Sequence, residues 1–275
     1  MRLSLPGTYG QQVLDALQIA ACDLDNYISG GAGLNAHEQL ERYAEWAMES
    51  ALRLEAFLST DAIARLVLTR TYHTIVAAGP TASERSLNSL LHIETSARRR
   101  HLRLEMDHLG EQVAKWASGP DLVVFDTNVF LHHQEELRLL DFAKLLGHRK
   151  PIRLLVPMVI VDELDNAKRG KDGTRDRARR ALRTLTDALT EGEFSGLLPR
   201  PDGSSAVTVE IVREPAGHER LPLPDDEIID QTMTVYRIGG RAVSLVTYDT
   251  GMQMRARGTG VIVVKLDHED VVKET

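Results

Sequence analysis

Four acidic residues of this chain each lie where a predicted strand ends or the helix behind it begins: Asp126 in VVFDTN, Glu163 in VIVDELDNAK, Asp226 in LPDDEII and Asp249 in SLVTYD. In a parallel α/β sheet the carboxyl ends of the strands meet at one edge, and ligands bind there. Carboxylates gathered at one point repel each other, so such a cluster requires a positive charge. Hard divalent cations such as Mg²⁺ and Mn²⁺ prefer oxygen ligands of this kind. The four acids therefore predict a metal-binding site at one edge of a sheet.

Two of these acids have acidic neighbours that compete for the same role. Asp162 and Glu163 point about 100° apart on a helix, and the apolar residues around them favour Glu163 as the one that faces inward. Asp225 is well placed to cap the next helix, where an acid is favoured for structural reasons alone. We therefore take Asp226 as the first candidate in that helix. Asp230, one turn later on the same face, is the second.

Polar neighbours are predicted to support the acids. Thr127 and Asn128 can hold the turn after Asp126 and orient its carboxylate by hydrogen bonds. Thr247 offers a hydroxyl at the same edge, two residues before Asp249. A purely structural alternative exists for Asp126 and Asp249, because each is also suited to cap the helix that follows it.

The segments that carry these acids alternate between strands and helices. Short, largely apolar runs predict strands at 122–125, 152–156, 242–246 and 261–264. At 207–211 apolar residues alternate with Thr208 and Glu210, which predicts a strand with one face more exposed to water. Helices are predicted at 135–146, 158–168, 174–191 and 225–238, and the Gly- and Pro-rich stretch 192–205 is predicted to be a loop. This alternation predicts a three-layer α/β domain with a mostly parallel, five-stranded sheet.

The residues before this domain are predicted to be helical throughout. The sequences N-x-x-E at 35–38 and T-x-x-E at 81–84 are typical of capping boxes at helix starts. A Ser-Gly-Pro sequence at 118–120 marks a boundary. We therefore predict an all-α bundle of four or five helices at 1–118 and the α/β domain at 119–275.

Composition limits the classes of function. The net charge is −7, so a nucleic-acid substrate would have to be attracted by local basic patches and by bound metal. No apolar run approaches the ~20 residues that span a bilayer, and the first residues lack the apolar segment of a signal peptide. The single Cys22 excludes an internal disulfide. It is predicted to be buried, in a protein of a reducing, cytoplasmic compartment.

A basic segment follows the second acid. Arg169, Lys171 and Arg175 lie in or beside the predicted loop at 170–173, and we take them as candidates for contacts with a phosphate backbone. For the later cations of this segment, the favoured interpretation is a solvated helix face with ion pairs: Arg179, Arg180 and Arg183.

The motifs D-T-N, E-L-D-x-x-K, D-D-x-I-I and V-T-x-D, in this order, resemble those of the PIN-domain nucleases over about residues 121–266. The resemblance implies a parallel sheet with strand order 3-2-1-4-5, bound Mg²⁺ or Mn²⁺, and a substrate that is usually single-stranded or structured RNA. It assigns the catalytic, metal-binding acids: Asp126, Glu163, Asp226 and Asp249. It also matches Asn128 and Thr247 to polar supporting positions, and it does not decide the role of Asp230.

The expected function is that of a cytoplasmic, metal-dependent endoribonuclease. One alternative is a non-catalytic RNA- or protein-binding scaffold with the same fold, although the presence of all four acids argues against it. Another is a DNA-directed, structure-specific nuclease, because the same metal chemistry cuts either backbone. A haloacid-dehalogenase-like phosphatase is disfavoured, because D-T-N lacks a second carboxylate two residues after the first. The helical region resembles no family; RNA selection, a protein partner and homo-oligomerisation are its open roles.

Overall fold

A computed structural model describes residues 8–31, 33–147, 150–170, 172–189, 193–201, 207–214 and 218–267. The chain divides into two compact units. One comprises the residues up to Ala117 together with Arg237–Gly240, and the other comprises Ser118–Tyr236 together with the residues from Arg241 onward. Among the described residues, no helix combines the length and apolar character that a membrane crossing requires.

The described part of the first unit is helical, as predicted. Its elements are α1 (Gly10–Ser29), α2 (Ala36–Glu55), α3 (Thr60–Leu66), α4 (Arg70–Ala78), a 3-10 turn (Gly79–Thr81) and α5 (Glu84–Trp116). The predicted capping box at 35–38 is confirmed, with reciprocal side chain to backbone bonds of 2.9 Å between Asn35 and Glu38. The box predicted at 81–84 is wrong, because Ser83 caps α5 and the Glu84 carboxylate instead accepts the backbone N–H of Ala36 at 3.0 Å.

An aromatic cluster fills the core of this helical unit. Tyr43 is fully buried, its ring stacks on Trp46 with centroids 5.4 Å apart, and Tyr72 meets it edge-on at 6.0 Å. Cys22, in contrast, is exposed, so the prediction that it is buried is wrong. It lies two residues after the buried Ala20, about 200° around α1 and hence on the helix face that points away from this core.

A buried ion pair crosses the same helical core. Glu94 and Arg98, one turn apart on α5, are 3% and 6% exposed and meet at 3.1 Å. The Glu94 carboxylate also accepts the hydroxyl of Thr69 at 2.7 Å. The Arg98 guanidinium donates to the carbonyl oxygens of Arg65 and Leu66 at 2.6 and 3.1 Å. It thereby satisfies two acceptors at the carboxyl end of α3 that have no partner within that helix.

The second unit is a three-layer α/β fold with helices on both sides of a mostly parallel sheet. Its strands are β1 (Asp121–Phe125), β2 (Ile152–Pro157), β3 (Ser195–Leu197), β4 (Val207–Val212), β5 (Val243–Thr247) and β6 (Ile262–Lys265). Its helices are α6 (Thr127–His132), α7 (Phe142–Leu146), α8 (Met158–Ala167), α9 (Asp172–Ala188), α10 (Pro224–Gly239, whose residues up to Tyr236 belong to this unit) and α11 (Thr250–Ala256). The spatial order of strands is β3-β4-β2-β1-β5-β6. The five parallel strands confirm the predicted order 3-2-1-4-5.

The sheet has six strands rather than the five predicted, because β3 adds an antiparallel edge strand beside β4. This strand lies within the predicted loop at 192–205, where Gly and Pro residues obscure a three-residue strand. Gly196 is required there, since a Cβ atom at this position would lie 1.9 Å from the carbonyl oxygen of Ala188. The glycine that predicts a loop in the sequence is therefore present because two backbone segments pack closely here.

The helix predicted at 135–146 is largely wrong, because only Phe142–Leu146 is helical. Asp141 starts this short helix by accepting the backbone N–H groups of Ala143 and Lys144. The preceding residues form turns, in which Leu137 and Leu140 are nonetheless buried. The spaced apolar residues that suggested a helix therefore belong to a loop that packs over the core.

The carboxyl edge of the sheet brings three strand ends together. β1 lies between β2 and β5 and pairs with both in parallel. Its residues 122–125 are all at most 2% exposed, as expected for a central strand covered on both faces. Adjacent strands lie about 4.8 Å apart, so the residues that follow β1, β2 and β5 are neighbours at this edge.

Candidate active site

Asp126 lies at the centre of the carboxyl edge. It follows β1, continues the pairing of that strand by donating its N–H to the carbonyl of Val246 at 2.9 Å, and caps α6. Its side chain is buried, and Thr247, itself fully buried, donates its hydroxyl to Oδ2 at 2.8 Å. Asn128 supplies two longer contacts of 3.4 Å, from its backbone N–H and its side-chain amide. The β1–β5 pairing therefore fixes this carboxylate and its main donor together.

Burial raises the pKa of Asp126 to about 6. The bonds from Thr247 and Asn128 oppose this rise, and the charge of Asp225 adds to it. Burial thus makes the charged form of this carboxylate less favourable than it is in water, and a nearby cation would offset that penalty.

Glu163 is positioned by α8, the helix that follows β2. Its Oε2 accepts the hydroxyl of Thr127 at 2.6 Å, so Glu163 faces the residues after β1. Burial raises its pKa, the Thr127 bond opposes that rise, and the charge of Asp225 adds to it. The neighbouring Asp162 instead pairs with Arg220 at 2.6 Å.

The helix α10 contributes two acids to this edge in its first turn. The charge of Asp225 acts on both Asp126 and Glu163, whereas the carboxylate of Asp226 pairs with the Nε of Arg255 at 3.0 Å. Arg255 also binds Asp225, through Nη2, at 2.6 Å. Asp230 is partly exposed and lies one turn farther along α10. The sequence pattern favoured Asp226 over Asp225, while the electrostatic coupling to the β1 and β2 acids belongs to Asp225.

Asp249 caps α11, the helix that follows β5. Its Oδ1 accepts the N–H of Met252 at 2.8 Å, and its own N–H donates to Thr247 at 2.9 Å. The capping role weighed in the sequence is therefore present. Gly251 makes it sterically feasible, since a Cβ atom there would lie 2.9 Å from Asp249 Oδ1. Through Thr247, the backbone of Asp249 is linked to the carboxylate of Asp126.

Two linked pairs thus organise the edge: Asp126 with Thr247, and Glu163 with Thr127. As the side chains stand, no three His, Cys, Asp or Glu residues in the described part of the chain are placed to hold a metal ion together. Asp225 and Asp226 are instead directed to the guanidinium of Arg255. Their pairing depends on how α10 packs against α11, which local sequence does not encode, so the sequence analysis missed Arg255.

The predicted substrate-binding cations have different surroundings. Arg169 is exposed directly after α8. Arg175 lies in the first turn of α9, which begins at Asp172 and so takes up part of the predicted loop at 170–173. Lys171 lies outside the described residues. The later cations make ion pairs, as favoured by the sequence in general terms: Arg179 with Asp176 at 3.8 Å, Arg180 with Glu136 at 3.3 Å and Arg183 with Asp187 at 3.9 Å.

The raised pKa of Asp126 predicts how stability depends on pH in metal-free protein. In the folded state the pKa is about 6, against an ordinary 3.8, so the folded state binds this proton more tightly than the unfolded state. The unfolding free energy should therefore rise as pH falls from about 7, through the folded pKa of about 6, to about 4, where the full effect of about 3 kcal/mol is approached. Thermal unfolding in EDTA across this range tests the prediction. The Asp126→Asn variant should lose this part of the pH dependence, and an identical slope in both proteins would contradict the account.

Comparison with known proteins identifies the class. The sequence profile of the PIN domain matches residues 123–267, more than half of the chain, and the protein belongs to this family. PIN domains are generally nucleases that use divalent metal ions, and their fold implies nucleic-acid binding. The match does not reach the helical unit.

A solved structure also matches part of this chain. It is a domain of a functionally unknown protein from Methanocaldococcus jannaschii DSM 2661, 17% identical, with a TM-score of 0.36 over 56% of this chain and 95% of that chain. No curated protein matches the chain.

Proposed function

We propose that this protein is a cytoplasmic, metal-dependent endoribonuclease, with residues 1–118 as a separate helical domain and residues 119–275 as the nuclease domain. The observation that carries the proposal is the convergence of Asp126, Glu163 and Asp225 at the carboxyl edge. Burial raises the pKa of both other acids, and the charge of Asp225 adds to that rise. Carboxylates that repel one another in a shared site are typical of sites that bind a cation during function.

The side chains at this edge fit a hard divalent ion in their chemistry. Asp126, Glu163, the α10 acids and Asp249 present carboxylate oxygens, the donors that Mg²⁺ and Mn²⁺ prefer. Asp126 is 1% exposed, and a nearby cation would remove the penalty that burial imposes on its charge. Holding the metal is therefore assigned to Asp126, Glu163, Asp249 and the first turn of α10, with Asp230 as a further candidate.

The bound ion would lower the pKa of a water molecule and neutralise charge that develops on the phosphate. The chain supplies orientation. Thr247 and Asn128 hold the carboxylate of Asp126, and Thr127 holds that of Glu163, so these ligands are arranged before the metal arrives. In the hydrolysis, water oxygen bonds to phosphorus while the P–O3′ bond breaks, which leaves a 5′-phosphate and a 3′-hydroxyl.

Features on the same edge of the sheet support a single-stranded substrate. Arg213 follows β4, and its guanidinium lies 4.3 Å from the ring centroid of Phe194, which is 47% exposed. An exposed aromatic ring beside a guanidinium can stack on the bases of single strands in a sequence-tolerant way. Arg169 and Arg175 add positive charge after β2 and are proposed, with Lys171, to contact the phosphate backbone.

The coupling of Asp225 to the other acids yields a prediction within α10. Asp225→Asn should reduce RNA cleavage by about 10²-fold, the scale on which removal of one transition-state stabiliser acts. Asp226→Asn, which removes the same charge one residue later, should reduce cleavage less. Single-turnover rates with saturating Mn²⁺ make the comparison. A larger loss of cleavage rate in Asp226→Asn would show that Asp226, the residue favoured by the sequence, is the more important metal-site acid.

The proposed activity is tested with labelled single-stranded RNA and a DNA of the same sequence, incubated with purified protein and Mg²⁺ or Mn²⁺. Cleavage of RNA that EDTA abolishes, with 5′-phosphate ends, is expected. Preferential cleavage of DNA would identify a DNA-directed nuclease instead. Binding of RNA without cleavage of either polymer would favour a non-catalytic scaffold.

A further inference from the structure

Asp225 and Asp226 of α10 already share a positive side chain of the protein. Arg255 of α11 bridges both of them, with Nη2 2.6 Å from Asp225 Oδ2 and Nε 3.0 Å from Asp226 Oδ1. The three side chains are 35–40% exposed, so the pairs lie at the solvent-facing rim of the acidic edge. Arg255 thus joins the helix that Asp249 caps to the helix whose first turn faces Asp126 and Glu163.

This bridge uses oxygen atoms that a metal ion at the edge would also attract. Arg255 supplies one positive charge beside Asp225, the acid whose own charge acts on both Asp126 and Glu163. A divalent ion among these carboxylates supplies two charges and repels a guanidinium at the same distance. Since the arginine side chain is long and flexible and its head is part-exposed, it can leave without unfolding α11.

We propose that Arg255 is a built-in counter-ion of the acidic edge, which a divalent metal ion displaces. In the metal-free protein it holds the α10 acids and limits the repulsion within the cluster. In the metal-loaded protein its guanidinium is free for another anion, and a phosphate of the nucleic acid suits its planar fork of donors. This proposal rests on the proposed function for the location of the metal. What it adds is that Arg255 lowers the affinity of this edge for a divalent ion.

The first test measures Mn²⁺ affinity by titration calorimetry without any nucleic acid. Arg255→Ala should bind Mn²⁺ on the order of five- to tenfold more tightly than the wild type, because a competing charge at a part-exposed site has been removed. The matched control is Arg257→Ala, which removes an exposed arginine two residues later and should leave the affinity within about twofold, as expected for a solvent-screened charge. Unchanged or weaker binding in Arg255→Ala would overturn the proposal. So would the absence of Mn²⁺ binding in both proteins.

The second test follows Arg255 itself. Its side-chain Nε–Hε resonance, assigned by its loss in Arg255→Ala, should shift on titration with Mg²⁺ with the same midpoint as metal binding. A resonance that stays unchanged at saturating Mg²⁺ would mean that the bridge persists, and the proposal would be wrong. Cleavage of RNA by the wild type tests the proposed function independently: an active enzyme whose Arg255 stays in place would refute only the displacement.

Discussion

Replacing Asp126 with Asn is expected to reduce RNA cleavage by about 10²-fold or more, since one preorganised electrostatic group of an active site contributes on this scale. The substitution preserves shape, and the amide oxygen can still accept from the N–H of Asn128 and so cap α6. What it removes is the negative charge that the proposed metal requires. The measurement is the single-turnover rate of cleavage of labelled RNA at saturating Mn²⁺.

The control for this experiment must separate lost chemistry from lost folding. Asp126→Asn should be at least as stable as the wild type at pH 8 in EDTA, because it removes a buried charge whose pKa is raised to about 6. Asp187→Asn removes an exposed acid on α9 that makes only a long ion pair of 3.9 Å, and it should cleave at the wild-type rate. A folded Asp126→Asn protein that retains full cleavage would remove Asp126 from the mechanism.

Replacing Arg98 with Met is expected to destabilise the helical unit by about 3–5 kcal/mol, the range observed when one partner of a buried ion pair is removed. The substitution leaves the Glu94 carboxylate 3% exposed without its cation. It also removes the donors to the carbonyl groups of Arg65 and Leu66 at the end of α3. Both tryptophans of the chain, Trp46 and Trp116, lie in this unit. Tryptophan fluorescence during urea unfolding therefore reports on this unit.

Two further variants sharpen this test. Arg100→Met makes the same change at an exposed position two residues later on α5 and should alter stability by no more than about 0.5 kcal/mol. Combining Glu94→Gln with Arg98→Met should recover part of the loss, because the unpaired charge is then gone while an acceptor for Thr69 remains. Equal losses in Arg98→Met and Arg100→Met would show that the pair contributes little.

The sequence was informative where local pattern and chain direction determine the outcome. Apolar runs located four of the five parallel strands and alternation located the fifth, at 207–211, although its predicted exposed face is wrong at Glu210, which is buried. The acid motifs fixed which strand ends matter, since a residue after a parallel strand can only lie at the carboxyl edge. Thr127 and Thr247 could be anticipated as donors for the same reason. The partner of Thr127 could not be anticipated: the predicted acceptor was the carboxylate of Asp126, whereas its hydroxyl donates to Glu163, because that contact depends on how α8 packs beside the turn after β1.

The sequence was uninformative where the outcome depends on packing between distant elements. Which of Asp225 and Asp226 acts on the other acids depends on how Arg255 of α11 pairs with them. Arg255 lies thirty residues after Asp225 in the chain. The strand β3 forms because Gly196 lets the chain approach the end of α9, and this close approach resembles a loop in sequence. Similarly, the sequence R-R-R at 98–100 is typical of an exposed basic patch, but Arg98 is buried because it pairs with the buried Glu94 one turn earlier.

The central claim is that the carboxyl edge of the sheet binds a divalent metal ion through its acids, and anomalous diffraction from crystals soaked in MnCl₂ tests it most directly. The account predicts a manganese peak beside the carboxylates of Asp126 and Glu163, with the bridge between Arg255 and the α10 acids opened, and no such peak in Asp126→Asn crystals. Crystals of the wild type with no peak at this edge, or with manganese bound only elsewhere, would contradict it.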